Sequence, residues 1–397
     1  MNFTTMIVGW IVCSGRHSIC RVIQAAGELG VGKHHSSLYR FLSHGRWCPD
    51  AVGRLIFRRL LHFSSDRVRI AIDDTLCHKG GPHIFGAAMH YDAHTSTYGR
   101  GTSEGSKSFF VFGHNWVVVS LWIPLPWDEN RGLAIPFLFR LYRSKKRCPE
   151  EKYRKRTAIA AEMIKLVASW LPSGRILHVL GDSEYACKTI VRDLPSDTHF
   201  TGPMCMDAAL YEQAPKAYAG MGRPRVKGKR LPSPQKMAKS KAGWKAHTLS
   251  IYGRPVRVMI KSVRCLWYTV AGPRLVRVVV TRDPSGRIED RAYFSTVNEP
   301  VESDGDQQDA AAAVLIEFAR RWEIEVAFRN TKQFMGLEDP QNGWWRRPKG
   351  SRRPRKRPGP NAKERIGEKA IHHTLACVFT CYAITILWYL EHGEPDR

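Results

Sequence analysis

The sequence predicts an α/β protein: a mixed helical layer on one sheet, interrupted by a β-rich insertion and preceded by a helical unit. Three observations predict it. Apolar, β-branched runs such as RVRIAID (67–73) and RILHVLGD (175–182) read as buried strands, and each runs directly into an acid. A helical period separates them over Tyr153 to Trp170, with Ile159, Met163, Leu166 and Val167 on one side. After residue 203 the rhythm changes to a basic stretch followed by new strand-like runs.

The helical unit comes first, over residues 1–64. Ile19 to Ala26 and Ser36 to Leu42 are short amphipathic runs around a glycine-containing turn. The segment KHHSSLYRFLSHGRW suits either a small DNA-contacting helical unit or a helical lid on the next domain. Residues 65–203 form the first part of the α/β domain. Its strands are RVRIAID, Trp116 to Leu125, Leu133 to Tyr142 and RILHVLGD; its helices are Tyr153 to Trp170 and Glu184 to Val191.

Residues 204–298 form the β-rich insertion. Gly222 to Lys245 holds nine Lys or Arg and no acid, including Lys227, Lys229 and Arg230, and reads as a mobile basic loop. PVRVMIKSV, CLWYTVAG and RLVRVVVTRD follow as strand candidates. The α/β domain resumes over 299–340 with one long helix from about Gln307 to Met335, stopped at Gly336. Residues 341–397 carry a second basic loop, Arg346 to Pro358, with eight cations and no acid, among them Arg353, Arg355 and Lys356. An apolar run from Leu375 to Leu390 closes the chain. At 16 residues it is shorter than the ~20 a membrane-spanning helix needs, and reads as a buried helix.

Composition narrows the function. The chain has 397 residues, enough for two or three structural units, and a formal charge of +26 with a pI near 9.9. Such an excess points to a polyanion, most often nucleic acid. No basic amphipathic helix with a clean apolar face argues for a membrane surface. Ten cysteines without a paired framework read as reduced thiols, which predicts a cytoplasmic protein. The two basic loops would repel themselves unless a polyanion neutralised them.

The acids carry the chemistry. Asp73 and Asp74 follow one strand and Asp182 another, at the rim of a sheet where α/β folds bind ligands. On the long helix, Phe318, Arg321, Glu325, Phe328 and Lys332 share one stripe at 3.6 residues per turn. There Glu325 can close over the same rim. Asp73, Asp182 and Glu325 would make a hard-oxygen cage of the kind that selects Mg²⁺ or Mn²⁺. Two such ions can assist an in-line displacement at phosphorus. A solvated face with an Arg321–Glu325 ion pair, and strand-end acids acting as turn caps, are the plainer readings of the same residues. A zinc site built from Cys77, His78, His83, His90 and His94 lacks a second pair at ligand spacing.

Phe318-x2-Arg321-x3-Glu325-x6-Lys332 resembles the Y-x2-R-x3-E-x6-K signature of DDE transposases from bacterial insertion sequences, the IS-four-like superfamily. IDDT and GDSEY look like that family's two aspartate blocks, and the order of strand-Asp, strand-Asp, β-rich insertion and helix-Glu is also the same. The resemblance covers roughly residues 65 to 340. It implies an RNase H-like catalytic domain, two divalent metal ions, and cleavage at transposon ends with strand transfer into target DNA. By position, Asp73, Asp182 and Glu325 would be the catalytic metal ligands. Either Asp73 or Asp74 can be the first of these, and Asp73 is preferred because it ends the strand and is followed by x-Thr. Arg321 and Lys332 would contact DNA near the cut, with Arg329 on the same helix. Phe318 replaces the usual tyrosine, which removes a hydroxyl and leaves a stacking surface. Trp267 is the candidate for stacking on an extruded base, with burial as the competing role. The resemblance further implies double-stranded DNA as partner, a homodimer on DNA and a nucleoid-associated bacterial location. Two rival functions fit the residues: a decayed or co-opted DNA-binding protein, and another RNase H-like nuclease.

Overall fold

The run RVRIAID does form a strand, and it continues well beyond the aspartates. In the computed structural model β1 spans Arg67–His78, and Asp73 and Asp74 pair with Val118 and Val117 of β3 (Phe110–Leu125). The structure describes residues 2–80, 84–92, 109–215, 224–297, 304–339, 345–346, 355–356 and 364–394. The other edge of β3 is covered by β4 (Asp128–Tyr142) and, at its start, by β2 (Ala88–Tyr91). On its second edge β1 runs parallel to β5 (Ile176–Gly181), which runs parallel to β6 (Thr198–Met204). Three antiparallel strands followed by two parallel ones, β4-β3-β1-β5-β6, make the RNase H-like core. The parallel strand β5 reads as a continuous apolar run because both its faces are covered.

The insertion is not a separate body. β6 pairs antiparallel with β12 (Arg291–Ser295), which pairs with β11 (Leu275–Arg282) and then β10 (Arg254–Leu266). The short β7 (Leu210–Tyr211) and β8 (Arg230–Leu231) complete that edge, and β9 (Lys245–Ile251) makes a hairpin with β10. One sheet of twelve strands therefore runs through both parts of the chain. A separate two-stranded ladder joins β13 (Trp345–Arg346) to β14 (Arg355–Lys356).

Two sequence expectations change here. CLWYTVAG is not a strand: β10 ends at Leu266 and the chain enters a helical turn, α8 (Tyr268–Ala271), closed by Gly272 at φ +65°. The stretch expected to be a mobile basic loop is partly packed. It contains β8 and α7 (Pro234–Lys239), whose Pro234 and Ala238 are buried, and the Lys261 ammonium donates to the carbonyls of Met237 and Ser240. Prolines and lysines hid a short helix that tertiary contacts stabilise.

The N-terminal unit comprises α1 (Asn2–Val12), α2 (Ile19–Ala25), α3 (His35–His44) and α4 (Pro49–Leu60). Its buried Met6, Trp10, Val22 and Leu38 share a core with Ala71 and Trp116 of the sheet. Trp10 also donates to the Met335 carbonyl at 2.9 Å, so the unit lies like a lid over the α/β domain. α5 (Arg156–Trp170) and the one-turn α6 (Lys188–Val191) cover the opposite core. The C-terminal helix α11 (Glu364–His392) is longer than the apolar run suggested. Its part Gly367–His392 is long and apolar enough to cross a membrane, yet 72% of its most apolar window is buried within the protein. Ile371, Val378, Phe379 and Cys381 pack against α1, α3 and the sheet, as in a core helix. All ten cysteines are free.

The long helix expected over Gln307–Met335 is two helices, α9 (Asp304–Arg320) and α10 (Trp322–Phe334). At the break the Arg321 amide bonds the Phe318 carbonyl and the Ile324 amide bonds the Arg321 carbonyl, each at 3.1 Å. These i→i−3 bonds tighten the chain for one turn, and Arg321 itself keeps helical backbone angles. Glu323 and Glu325 fall in the first turn of α10, where the helix dipole favours acids. Gly336 ends it at φ +56°, as its position predicted.

Candidate active site

The last parallel pair between β1 and β5 is Ile72–Gly181. Asp73 and Asp182 are the next residue on each strand, so the sheet itself sets them side by side. Gly181 has no room for a side chain, since a Cβ there would stand 2.7 Å from the Phe200 ring. Asp182 is held by its own loop: its Oδ1 accepts from the amides of Glu184 (2.9 Å) and Tyr185 (3.2 Å).

The helix break brings the third acid to the same rim. Arg321 donates from Nη1 to Asp73 Oδ2 at 2.8 Å and from Nη2 to Glu325 Oε1 at 2.6 Å. One guanidinium, 12% exposed, thus ties the β1 aspartate to the α10 glutamate. Its Nε is buried without a hydrogen-bond partner. The Phe318 ring lies 5.6 Å from the guanidinium and 4.9 Å from Tyr293, so the phenyl group packs against Arg321.

Charge is concentrated here. Burial lifts the Asp73 pKa to about 8; Arg321 opposes this, whereas Asp182 and Asp74 add to it. Burial also raises Asp182, against the pull of the Tyr185 amide and Arg321. Burial works against the charged form of Arg321, yet Asp73, Glu325 and Asp182 raise its pKa above the ordinary value. Among the described residues no three of His, Cys, Asp and Glu lie close enough to share a metal ion. The Arg321 guanidinium stands between these carboxylates as the resident cation. The donor set is hard oxygen throughout, which is the chemistry Mg²⁺ or Mn²⁺ requires.

Asp74 faces a different set of partners. It accepts from Asn115 Nδ2 at 2.7 Å, Arg156 Nη1 at 3.0 Å and the Tyr185 hydroxyl at 3.3 Å. Arg156 also pairs with Glu184 at 2.7 Å. A second guanidinium clamp therefore joins β1 to the loop that carries Asp182. Sequence reasoning missed Asn115 and Arg156. Asn115 was legible as a lone amide inside the apolar run of β3, whereas nothing in the sequence marked Arg156.

The other expected site residues divide. The Lys332 ammonium donates to the Leu76 carbonyl at 2.7 Å, which fastens α10 to β1. Arg329 is exposed and donates to Asn330 Oδ1 at 3.4 Å. The Lys227 ammonium lies 3.8 Å from the Tyr211 ring centre, while Lys229 and Arg230 are exposed. Trp267 is 5% exposed and packs edge-on against Phe294 at 5.0 Å, so its faces are taken by the core and it presents none to a base. Arg353 lies outside the described residues, and Arg355 and Lys356 are described in backbone only, as β14. Of the zinc candidates, Cys77 is buried and His90 sits in β2, not on a helix, while His83 and His94 lie outside the described residues.

The family model of the DDE superfamily endonucleases matches residues 2–257, well over half of the chain. The chain belongs to that family. The match takes in the lid, Asp73 and Asp182 and ends within β10, so Glu325 is positioned by the fold and not by the match. Endonucleases of this superfamily generally use divalent metals. No curated protein matches the chain. Among solved structures, one that it resembles is the piggyBac transposase synaptic complex with hairpin DNA, seen by cryo-electron microscopy. The TM-score is 0.38 at 9% identity, over 97% of this chain and 66% of that one. The chain thus spans just under two thirds of that transposase's length, at a likeness too low to transfer residues or activity.

Proposed function

We propose that this DDE superfamily endonuclease is a DNA transposase of the insertion-sequence type. It cuts DNA at transposon ends in a metal-dependent reaction and joins the freed strand to a target. The observation that carries this reading is the meeting of three chain segments at one rim. Asp73 and Asp182 stand one residue past the last parallel pair, and Glu325 is drawn to Asp73 through Arg321. With Arg321 withdrawn from between them, Asp73, Asp182 and Glu325 would close on two divalent ions, Mg²⁺ or Mn²⁺. When bound, such ions supply the Lewis acidity for displacement at phosphorus.

The chain's own residues do the remainder. Arg321 keeps two carboxylates in place and, once released, offers a guanidinium to a phosphate. Phe318 packs against that guanidinium. Lys332 fixes α10 against β1, so Glu325 keeps its distance from Asp73. Exposed Arg329, Lys229 and Arg230 supply part of the excess charge of +26 that favours double-stranded DNA. Joining two ends calls for a homodimer on DNA.

The test is cleavage of end DNA with Glu325→Gln. Mg²⁺-dependent nicking should disappear while end binding persists, and a variant that nicks normally would remove the assignment. A second reading, a DNA-binding protein that no longer cuts, draws support from Arg321 standing between the carboxylates. Wild-type protein that binds ends yet leaves them intact in both Mg²⁺ and Mn²⁺ would favour it. Hydrolysis without strand transfer into a plasmid would instead favour an RNase H-like nuclease.

A further inference from the structure

A second charged site lies along the middle of α9. Ala310, Ala313, Val314 and Glu317 recur at i, i+3, i+4 and i+7, so they share one face of the helix. Two of the four are alanines, and the helix stands off from the sheet there. The cleft that results is open to solvent and has a cavity volume of about 50 Å³. Its floor is Arg67, His178, Arg277, Ser295 and Val297. Arg67 opens β1 six residues before Asp73, roughly 20 Å away at ~3.3 Å per residue, so this cleft is distinct from the carboxylate rim.

Arg277 is the anomaly. It is 4% exposed, and among the described residues no carboxylate lies within ion-pair distance of it. The charge that acts on it is another cation, Arg264, which with burial lowers its pKa. The neighbouring buried arginines are matched. Arg69 and Arg320 both pair with Glu317, at 2.8 Å and 2.7 Å. A guanidinium taken out of water without a counter-ion is costly, and an oxyanion offsets that cost.

The polar atoms beside it are pre-set. His178 Nε2 lies 2.8 Å from the Thr201 hydroxyl, which donates to Ser295 Oγ at 2.8 Å. The Val297 amide donates to the same Ser295 oxygen at 3.2 Å. His178 Nδ1 is buried with no hydrogen-bond partner. Among the described residues, Arg69 and Arg320 are matched by Glu317, which also lies 3.8 Å from His178 Nδ1, so Arg277 is the guanidinium left for an anion to match.

We propose that the cleft under the alanine face of α9 binds a phosphate group, with Arg277 as its main ligand and Arg67 and the Ser295 hydroxyl beside it. Guanidinium forks match phosphate oxygens in pairs. The phosphate is either free in solution or part of a nucleic-acid strand. The site does not depend on the cleavage reaction.

Melting of the full chain in potassium phosphate, against potassium chloride at equal ionic strength, tests it. Phosphate should raise the Tm of the wild type in a saturable way. Arg277→Met should lose that increment while melting no lower than wild type in chloride, since it removes an unmatched buried charge. Ala313→Glu, which sets a carboxylate at the mouth, should lose the increment by an independent route. A short DNA duplex titrated across salt separates the sources. If the phosphate belongs to DNA, Arg277→Met lowers the slope of log K against log salt by about 1. If it is free, the slope is unchanged and the phosphate increment alone is lost. Arg277→Met with both the wild-type phosphate response and the wild-type salt slope would overturn the proposal.

Discussion

Arg321 and Asp73 form an ion pair of 2.8 Å across 248 positions of chain. Because the same guanidinium holds Glu325, removing it leaves two acids facing each other with no cation between them. Arg321→Ala should cost about 3 kcal/mol of stability in the presence of a chelator, the scale for breaking a buried pair. Added Mg²⁺ should restore much of that loss, because a divalent ion can take the guanidinium's place. Melting curves with and without Mg²⁺ check this, and a variant as stable as wild type in chelator would contradict it.

Asp73 and Asp74 separate in a paired experiment. Asp74 accepts hydrogen bonds from Asn115, Arg156 and Tyr185, so Asp74→Asn should lower stability by ~1–3 kcal/mol. Asp73 is a buried carboxylate lifted to about 8, and an asparagine keeps an acceptor for Arg321, so Asp73→Asn should cost less stability than Arg321→Ala and abolish cleavage. Denaturant titration and a nicking assay read the two effects. The reverse pattern would move the ligand to Asp74.

Glu317 gives the fold an acid-sensitive element. Burial pushes its pKa up, but the Arg69 hydrogen bonds, together with His178, Arg69 and Arg320, outweigh this and hold it at about 2. A carboxyl depressed in the folded state contributes stability in full above its ordinary value of 4.5, and that contribution is lost as pH falls toward about 2. The amount is on the order of 3 kcal/mol. His178 acts in the same direction. Burial holds it at about 3, so below its ordinary 6.5 the unfolded chain takes up the proton first. Glu317→Gln should flatten the stability profile between pH 4.5 and 2, and a profile parallel to wild type would refute the pairing.

Trp267→Ala should behave as a core truncation. Its ring packs on Phe294 within the main core, so the loss should be about 3–5 kcal/mol. DNA affinity should change only as far as folding does. A stable variant with specifically weakened binding to end DNA would restore a stacking role.

The sheet core was legible because its strands are long, apolar and β-branched, and the acids stood out where those runs met polar residues. β6 and β12 were not, since THFTGPM and RAYFS are short and mixed in character. As a result the seam between core and insertion was invisible. The helix break at Arg321 was also hidden: WEIEV continues a helical pattern, and the i→i−3 bonds that interrupt it leave no mark in residue type. In the site, Glu325 was found from its spacing to Arg321 and Lys332. Arg156 was not, because its value lies in reaching Asp74 across 82 positions.

The ladder from β10 through β11, β12 and β6 to β5 has a mechanical consequence. A push on the β9–β10 hairpin travels along four hydrogen-bonded seams to the strand that carries Asp182. Bending between core and insertion would have to break these ladder bonds, so in the proposed reaction the bending is expected of the duplex.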